Sequence, residues 1–323
     1  MIVGIEIGGT KLQAALAEAP DRIVRRARLS VDPARGAAGI RADLAATLAS
    51  WRGSSSSSAG PIEAIGIGFG GPVDAGRGRA ITSHQVAGWD DFDLAAWCRD
   101  ELRIPRAVIH NDADAAALAE ACVGAGAGLS PVLYVNSGSG VGGGLVIDGR
   151  IYRGGSGRGA LEIGHLRLGD DLATIEDHAS GWAIDRKARE LVTAQRAGER
   201  PRSLLFERAE GDPGRVNTAL VGAAALDGDE QARAPLREAA HWFARGLAAA
   251  ATLLAPRRIV LGGGVSLLAD SLWIEPIREE VARRVFPAYR GTFDIVPAAL
   301  GEDVVLVGAL RIAQDCRDDG RSV

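Results

Sequence analysis

A chain of 323 residues is long enough for one large or two medium domains, and a hydrophobic content of 47% supports ordinary packed cores. A formal net charge of -4 at pH 7 gives no broad attraction to nucleic acid or to an anionic membrane surface. Glycine or charge interrupts every apolar stretch before it reaches the length of a bilayer span, and Met1 opens straight into a strand-like run with no basic leader. The expectation is a cytoplasmic protein with neither a membrane nor a nucleic-acid partner. Cys98, Cys122 and Cys316 are too scattered for a disulfide framework or a metal cluster and read as small hydrophobes. Many of the 43 glycines cluster at the ends of β-like runs, as expected where backbone must approach a phosphate.

Residues Met1 to Leu16 hold two β-like segments joined by Gly8-Gly9-Thr10-Lys11, a hairpin with a glycine-rich polar tip. The two glycines expose N–H groups that an anion accepts, and Thr10 and Lys11 add a hydroxyl and a positive charge; a plain tight turn explains the same residues. Glu6 stands in an otherwise apolar strand, which leaves two readings: a surface cap on the strand end, or a carboxylate reaching a hydrated Mg²⁺. A third strand from about Arg22 to Leu29 and an amphipathic helix from about Pro33 to Trp51 follow, then a serine-rich surface loop from Gly53 to Gly60. Ala64 to Asp74 is a buried strand running into the glycine-proline turn Gly70-Gly71-Pro72. Ser83 to Trp89, which contains Gln85, is a polar-then-aromatic loop of the kind that lines ligand clefts or simply packs one tryptophan.

In mid-chain, Val108-Ile109-His110 leads into Asn111-Asp112 and then an alanine-rich helical pattern running to about Gly124, a strand-to-helix junction. A carboxylate there lies at the positive end of the helix dipole and is suited to accept a proton. Helix capping explains the Asn-Asp pair equally well when it is taken alone. Next come a strand from Pro131 to Asn136 and a second glycine-tipped hairpin containing Gly138, Ser139 and Gly140. The repeated device suggests two similar α/β domains facing one another across a nucleotide. Glu162, His165 and Glu176 lie in glycine-broken sequence and suit either the hydroxyls of a sugar ring or plain solvation. From Gly181 to Ala255 the pattern is helical, with a polar break around Gly211 to Pro213. Arg258 to Ser266 is a buried strand feeding the Gly262-Gly263-Gly264 turn, and a final helix runs from about Glu302 to Ala313.

Taken in order, Gly8-Gly9-Thr10-Lys11, Gly70-Gly71-Pro72-Val73-Asp74, Asn111-Asp112-Ala113-Asp114-Ala115-Ala116, Gly138 to Gly142, Glu162-Ile163-Gly164-His165, Glu176 with Ala179-Ser180-Gly181, and Gly262 to Ser266 resemble the ROK family of sugar kinases and sugar-responsive repressors. That family belongs to the superfamily of actin and the heat-shock chaperone ATPases, and the likeness covers nearly the whole chain. It implies a two-domain ribonuclease H-like α/β fold with a ligand cleft between the domains, divided here at 1–114 and 115–301, with a C-terminal helix at 302–315 packing back on the first domain. It also implies ATP-dependent phosphorylation of a free hexose or N-acetylhexosamine, with Asp112 as the general base. Gln85, Asn111, Glu162, His165 and Glu176 would hold the sugar. Glu6, Gly8, Gly9, Thr10, Lys11, Gly138, Ser139 and Gly140 would serve the phosphates, with Mg²⁺ arriving with ATP and touching Glu6 through water. Gly262, Gly263 and Gly264 would lie by the adenosine, and a homodimer is expected.

The sequence departs from the family pattern in three places. Family members commonly carry a cysteine-rich zinc loop between the positions of His165 and Glu176, but only Leu166 to Ile175 intervene here and none is cysteine, so no structural zinc is expected. Glu6 stands where Asp is usual, and Gln85 where glucose-phosphorylating relatives have Asn, so sugar preference does not carry over. Two other classes compete with the kinase. One is a sugar-binding protein that has lost catalysis, motivated by Glu6 and the absent zinc loop. The other is a repressor, which would need a helix-turn-helix segment ahead of the first hairpin, whereas this chain starts a few residues before Gly8.

Overall fold

The computed structural model describes residues 1–52, 60–83, 85–155, 157, 159, 161–170 and 172–319. Residues 53–59 of the serine-rich loop, and His84, lie outside them. In chain order the strands and helices are β1 (Ile2–Ile7), β2 (Lys11–Ala19), β3 (Arg22–Ser30), α1 (Gly36–Arg52), β4 (Ala64–Phe69), β5 (Val73–Asp74), β6 (Arg79–Ala80), β7 (Phe92–Asp93), α2 (Leu94–Asp100), β8 (Arg106–Asn111) and α3 (Asp112–Val123). The chain continues with β9 (Val132–Ser137), β10 (Val141–Ile147), β11 (Arg150–Ile151), α4 (Ile175–Ala179), α5 (Gly181–Arg196), α6 (Leu204–Arg208), α7 (Thr218–Leu226), α8 (Glu230–Leu254), β12 (Arg258–Gly262), α9 (Ile274–Arg284), β13 (Asp294–Pro297) and α10 (Val304–Asp319).

The chain divides into two compact units, Met1–Ala127 with Gly144–Ala160 and Leu300–Val323, and Gly128–Gly143 with Leu161–Ala299. The first unit thus runs past residue 114, because α3 packs along α10 and cannot be parted from it. It also takes in the end of β10 and all of β11.

The first unit is built on a sheet in the order β3-β2-β1-β4-β8. The hairpin partners β1, β2 and β3 are antiparallel, whereas β1, β4 and β8 run parallel. Alternation along β1 sends Val3, Ile5 and Ile7 into one core with Leu44 and Leu48 of α1 and Trp89 and Trp97, while Ile2 joins Leu306, Leu310 and Ala313 of α10 in another. Glycine lets α10 lie directly on the sheet. A Cβ at Gly66 would overlap the Ala309 carbonyl oxygen and stand 2.7 Å from the Ala313 nitrogen, both backbone atoms that cannot swing aside. Gly66→Ala is expected to cost roughly 3 kcal/mol in urea unfolding, the upper end of overpacking effects. An unchanged urea midpoint would show that α10 sits further from β4 than described.

The second sheet has the order β11-β10-β9-β12-β13, with β9, β12 and β13 parallel. The region expected to be helical from Gly181 to Ala255 is four helices, α5 to α8. It breaks not only near Gly211 but also after α5, where Gly198 takes φ 79° and Ser203 caps α6. The last helix begins at Val304, after a single 3₁₀ turn over Gly301–Asp303, and extends past residue 315.

Candidate functional site

In the first unit the sheet register sets the geometry. Ile7, Phe69 and Asn111 are paired across the parallel strands β1, β4 and β8, so Gly8, Gly70 and Asp112 leave the sheet side by side at its carboxyl edge, where open α/β sheets bind ligands. The Gly8 N–H closes the first hairpin on the Lys11 carbonyl at 2.8 Å, and the Gly70 N–H bonds the Ile7 carbonyl at 2.8 Å. A Cβ on Gly70 would lie 3.3 Å from the Gly8 Cα and 3.5 Å from Asp112 Oδ2, so Gly70 adjoins both the first glycine turn and that carboxylate.

Asn111 is the N-cap of α3: its Oδ1 accepts from the Ala113 N–H at 2.8 Å, and its Nδ2 donates to the Gly71 carbonyl at 3.0 Å. Asp112 Oδ1 also accepts from the Ala113 N–H at 2.8 Å. The capping reading of the pair is therefore true of Asn111, and it leaves Asp112, half-buried, with Oδ2 turned toward Gly70. The Gln85 amide lies on Gly9, where a Cβ would overlap its Oε1, so the structure brings Gln85 to the hairpin tip. Thr10 is exposed at that tip.

Lys11 does not point away from the turn. Its ammonium bonds the Glu302 carbonyl and stands 3.5 Å from Glu6 Oε2, which itself accepts from Gln13 Nε2 at 2.7 Å. Glu6 is only 8% exposed, which removes the surface-cap reading. Burial raises its carboxyl above the usual carboxylate range, against the opposing pull of Lys11 and the Gln13 bond. Gln13 Oε1 in turn accepts from Arg26 Nη2 at 2.6 Å, and Arg26 pairs with Asp303 just ahead of α10. This chain of polar groups ties the first hairpin to the C-terminal segment. Sequence alone does not reveal it, because Gln13, Arg26 and Asp303 meet only once β2 and β3 pair and the C-terminal segment returns to them.

In the second unit Gly262 is paired with Asn136, so the turns after β9 and β12 are neighbours. Gly263 takes φ 84°, and a Cβ there would overlap the Ser137 carbonyl oxygen, so only glycine fits that crossing. Glu176 Oε2 accepts from the Val141 N–H at 2.7 Å and lies where a Cβ on Gly140 would fall. Ser137 Oγ donates to the Ala179 carbonyl at 2.7 Å, and the Gly181 N–H, opening α5, donates to the Gly138 carbonyl at 2.7 Å. Glu176 thus belongs with the second hairpin, and Gly138, Gly140, Glu176 and Gly262–Gly264 form one cluster; Ser139 is exposed at its tip. Glu162 and His165 are exposed, with His165 Nε2 4.0 Å from Glu162 Oε2 across the 3₁₀ turn Ile163–His165. Leu161 before them holds φ 70°, a strained angle for leucine.

No group of three or more His, Cys, Asp or Glu side chains suited to a metal ion occurs among the described residues. Elemental analysis of the purified protein is expected to find no stoichiometric zinc; one zinc per chain would overturn that expectation. No helix among the described residues is long and apolar enough to cross a membrane.

The sequence model of the ROK family matches residues 2–316. The chain is 30% identical to a glucokinase of Streptomyces coelicolor over 98% of each sequence. Among solved structures, it is similar to a ROK family glucokinase from Streptomyces griseus in complex with glucose and AMPPNP, at 31% identity and TM-score 0.78 over 97% of this chain and 99% of that one. It is likewise similar to the ROK hexokinase of Thermus thermophilus, at 30% identity and TM-score 0.80 over 99% of both.

Proposed function

The chain belongs to the ROK family, whose actin-like ATPase fold it has, and from that premise we propose that it is a sugar kinase that transfers the γ-phosphate of ATP to a free hexose or N-acetylhexosamine. The observation that carries the reading is the position of Asp112, whose Oδ2 lies beside Gly70, itself packed on Gly8, at the carboxyl edge of three parallel strands. In this reading the Asp112 carboxylate takes the proton from the sugar hydroxyl as that oxygen attacks the γ-phosphorus, and ADP leaves with the bridging oxygen. Asn111, braced by Gly71, holds a neighbouring hydroxyl, and Gln85, Glu162 and His165 supply further sugar contacts.

Phosphoryl transfer asks for positioning and charge neutralisation more than for covalent help. The Gly8 and Gly138 N–H groups close their own turns, so the N–H groups of Gly9, Thr10, Ser139 and Gly140 are the ones offered to the phosphates, and the start of the 16-residue α5 beside Gly138 adds the positive end of a helix dipole. Gly262–Gly264 lies by the adenosine. Mg²⁺ bound with ATP would neutralise phosphate charge, and Glu6 would reach it through water with Oε1, because Oε2 accepts from Gln13 and lies by Lys11. Glu176 acts through the second hairpin, whose backbone it holds. The protein works in this reading as a cytoplasmic homodimer.

A coupled assay with ATP, Mg²⁺ and a panel of glucose, mannose, N-acetylglucosamine and N-acetylmannosamine tests the reading. Sugar-dependent ADP release with at least one of them is expected. Sugar binding without turnover would instead identify the catalytically silent alternative.

A further inference from the structure

His110 immediately precedes Asn111, and alternation along β8 turns it, with Val108, to the other face of the strand. There both line a cavity of about 640 Å³ that lies wholly within the first unit, a size that suits a small metabolite. The His110 side chain is 6% exposed, yet its ring makes no hydrogen bond to any described residue, and its Nδ1 is sealed from solvent without a partner. A buried ring without a partner, its Nδ1 sealed and its Nε2 the nitrogen that keeps access, points to a ligand that meets it from the cavity.

The cavity wall carries three guanidinium groups, Arg150, Arg153 and Arg311, and three carboxylates, Asp148, Asp315 and Asp318. Arg311 is held by Asp315 at 3.0 Å, and Asp318 by Gln314 and Arg317, whereas the guanidinium groups of Arg150 and Arg153 have no ion pair among the described residues. Arg153 is close enough to act electrostatically on His110, and burial together with that charge lowers the imidazole pKa to about 3, so the ring is neutral at pH 7. Two unpaired guanidinium groups suit an oxyanion. The carboxylates on the same wall and the neutral ring suit hydroxyl donors.

We propose that this cavity is a second small-molecule site, separate from the Asp112 site, for a hydroxyl-bearing oxyanion whose charged end sits on Arg150 and Arg153 and whose hydroxyl meets the His110 ring. The proposal does not depend on the kinase reading. A ligand held there would touch the residue adjoining Asn111 and Asp112 from behind the sheet.

The test uses the full chain labelled with ¹⁵N at histidine, titrated with glycerol phosphate and, separately, with glycerate. The His110 resonances are identified by their loss in His110→Gln or, if that variant does not fold, by eliminating the other four of the five histidines in turn. Saturable movement of the His110 ring signals below ~10 mM probe is expected. A response to glycerol phosphate alone marks a phosphate-ester site, and one to glycerate alone a carboxylate site. Arg153→Ala is expected to raise the half-saturating concentration at least tenfold, roughly the loss of one charge-assisted bond, while Asp112→Asn leaves it unchanged. No His110 response to either probe, a response untouched by both Arg150→Ala and Arg153→Ala, or one abolished by Asp112→Asn would overturn the proposal.

Discussion

Asp112→Asn is expected to lower kcat for sugar phosphorylation by about 10²–10⁴-fold, the range associated with loss of a positioned general base, while KM for the sugar changes only a few-fold. The asparagine keeps the size of the side chain and an oxygen for the Ala113 N–H, but its amide cannot take the proton of the attacking hydroxyl. The fold should not suffer, because the cap of α3 is Asn111, whose Oδ1 already accepts from that same N–H. Separating kcat from KM, with an unchanged thermal midpoint as control, distinguishes lost chemistry from lost binding or lost structure. A variant that turned over sugar at the parent rate would remove Asp112 from the mechanism.

The second large effect concerns acid stability. His110 is buried neutral, with its pKa lowered from 6.5 to about 3, chiefly by burial and further by Arg153. Between those values the unfolded chain binds a proton that the folded chain refuses. This contribution to stability is therefore fully present above about pH 6.5 and lost as pH falls toward 3. One proton corresponds to about 1.36 kcal/mol per pH unit, so roughly 3 kcal/mol should be gone by pH 4. The other charged groups on that cavity wall are Arg150, Arg311, Asp148, Asp315 and Asp318, and Asp318 is held low by Gln314 and Arg317. His110→Gln removes the titration while leaving those groups in place. Urea unfolding from pH 7 to pH 4 should therefore show a shallower loss of stability in the variant than in the parent. Parallel curves would mean that the folded protein protonates His110 as readily as the unfolded chain does.

The pieces of the site that were legible in the sequence are those fixed by local rules. The glycine turns at Gly8 and Gly138 and the Asn-Asp helix start announce themselves through residue type and the change of hydrophobic period, and the structure has them where expected. What escaped depends on pairing between distant segments. Lys11 reads as a charge at a hairpin tip until α10 comes back onto the sheet and presents the Glu302 carbonyl to it. Glu6 likewise reads as a surface residue or a metal contact, and the surface reading falls only when β2 brings Gln13 opposite it in the packed sheet. The extent of the first unit was hidden for a related reason. The small residues Gly308 and Ala309 mark the final helix as one that permits close packing, but nothing in the sequence pairs them with Gly66 of β4 or with α3, which lie far away in the chain. His110 reads as part of a buried strand, and only the packed structure shows its ring facing a cavity.

In the proposed kinase a sugar hydroxyl meets the Asp112 carboxylate close to the first glycine turn. A crystal structure of the protein with a turned-over hexose and a non-hydrolysable ATP analogue measures this directly. One sugar hydroxyl is expected within about 3 Å of an Asp112 carboxylate oxygen, with the terminal phosphate on that hydroxyl's far side. A hexose bound with no hydroxyl in reach of Asp112, and the phosphates away from Gly8 and Gly9, would contradict it.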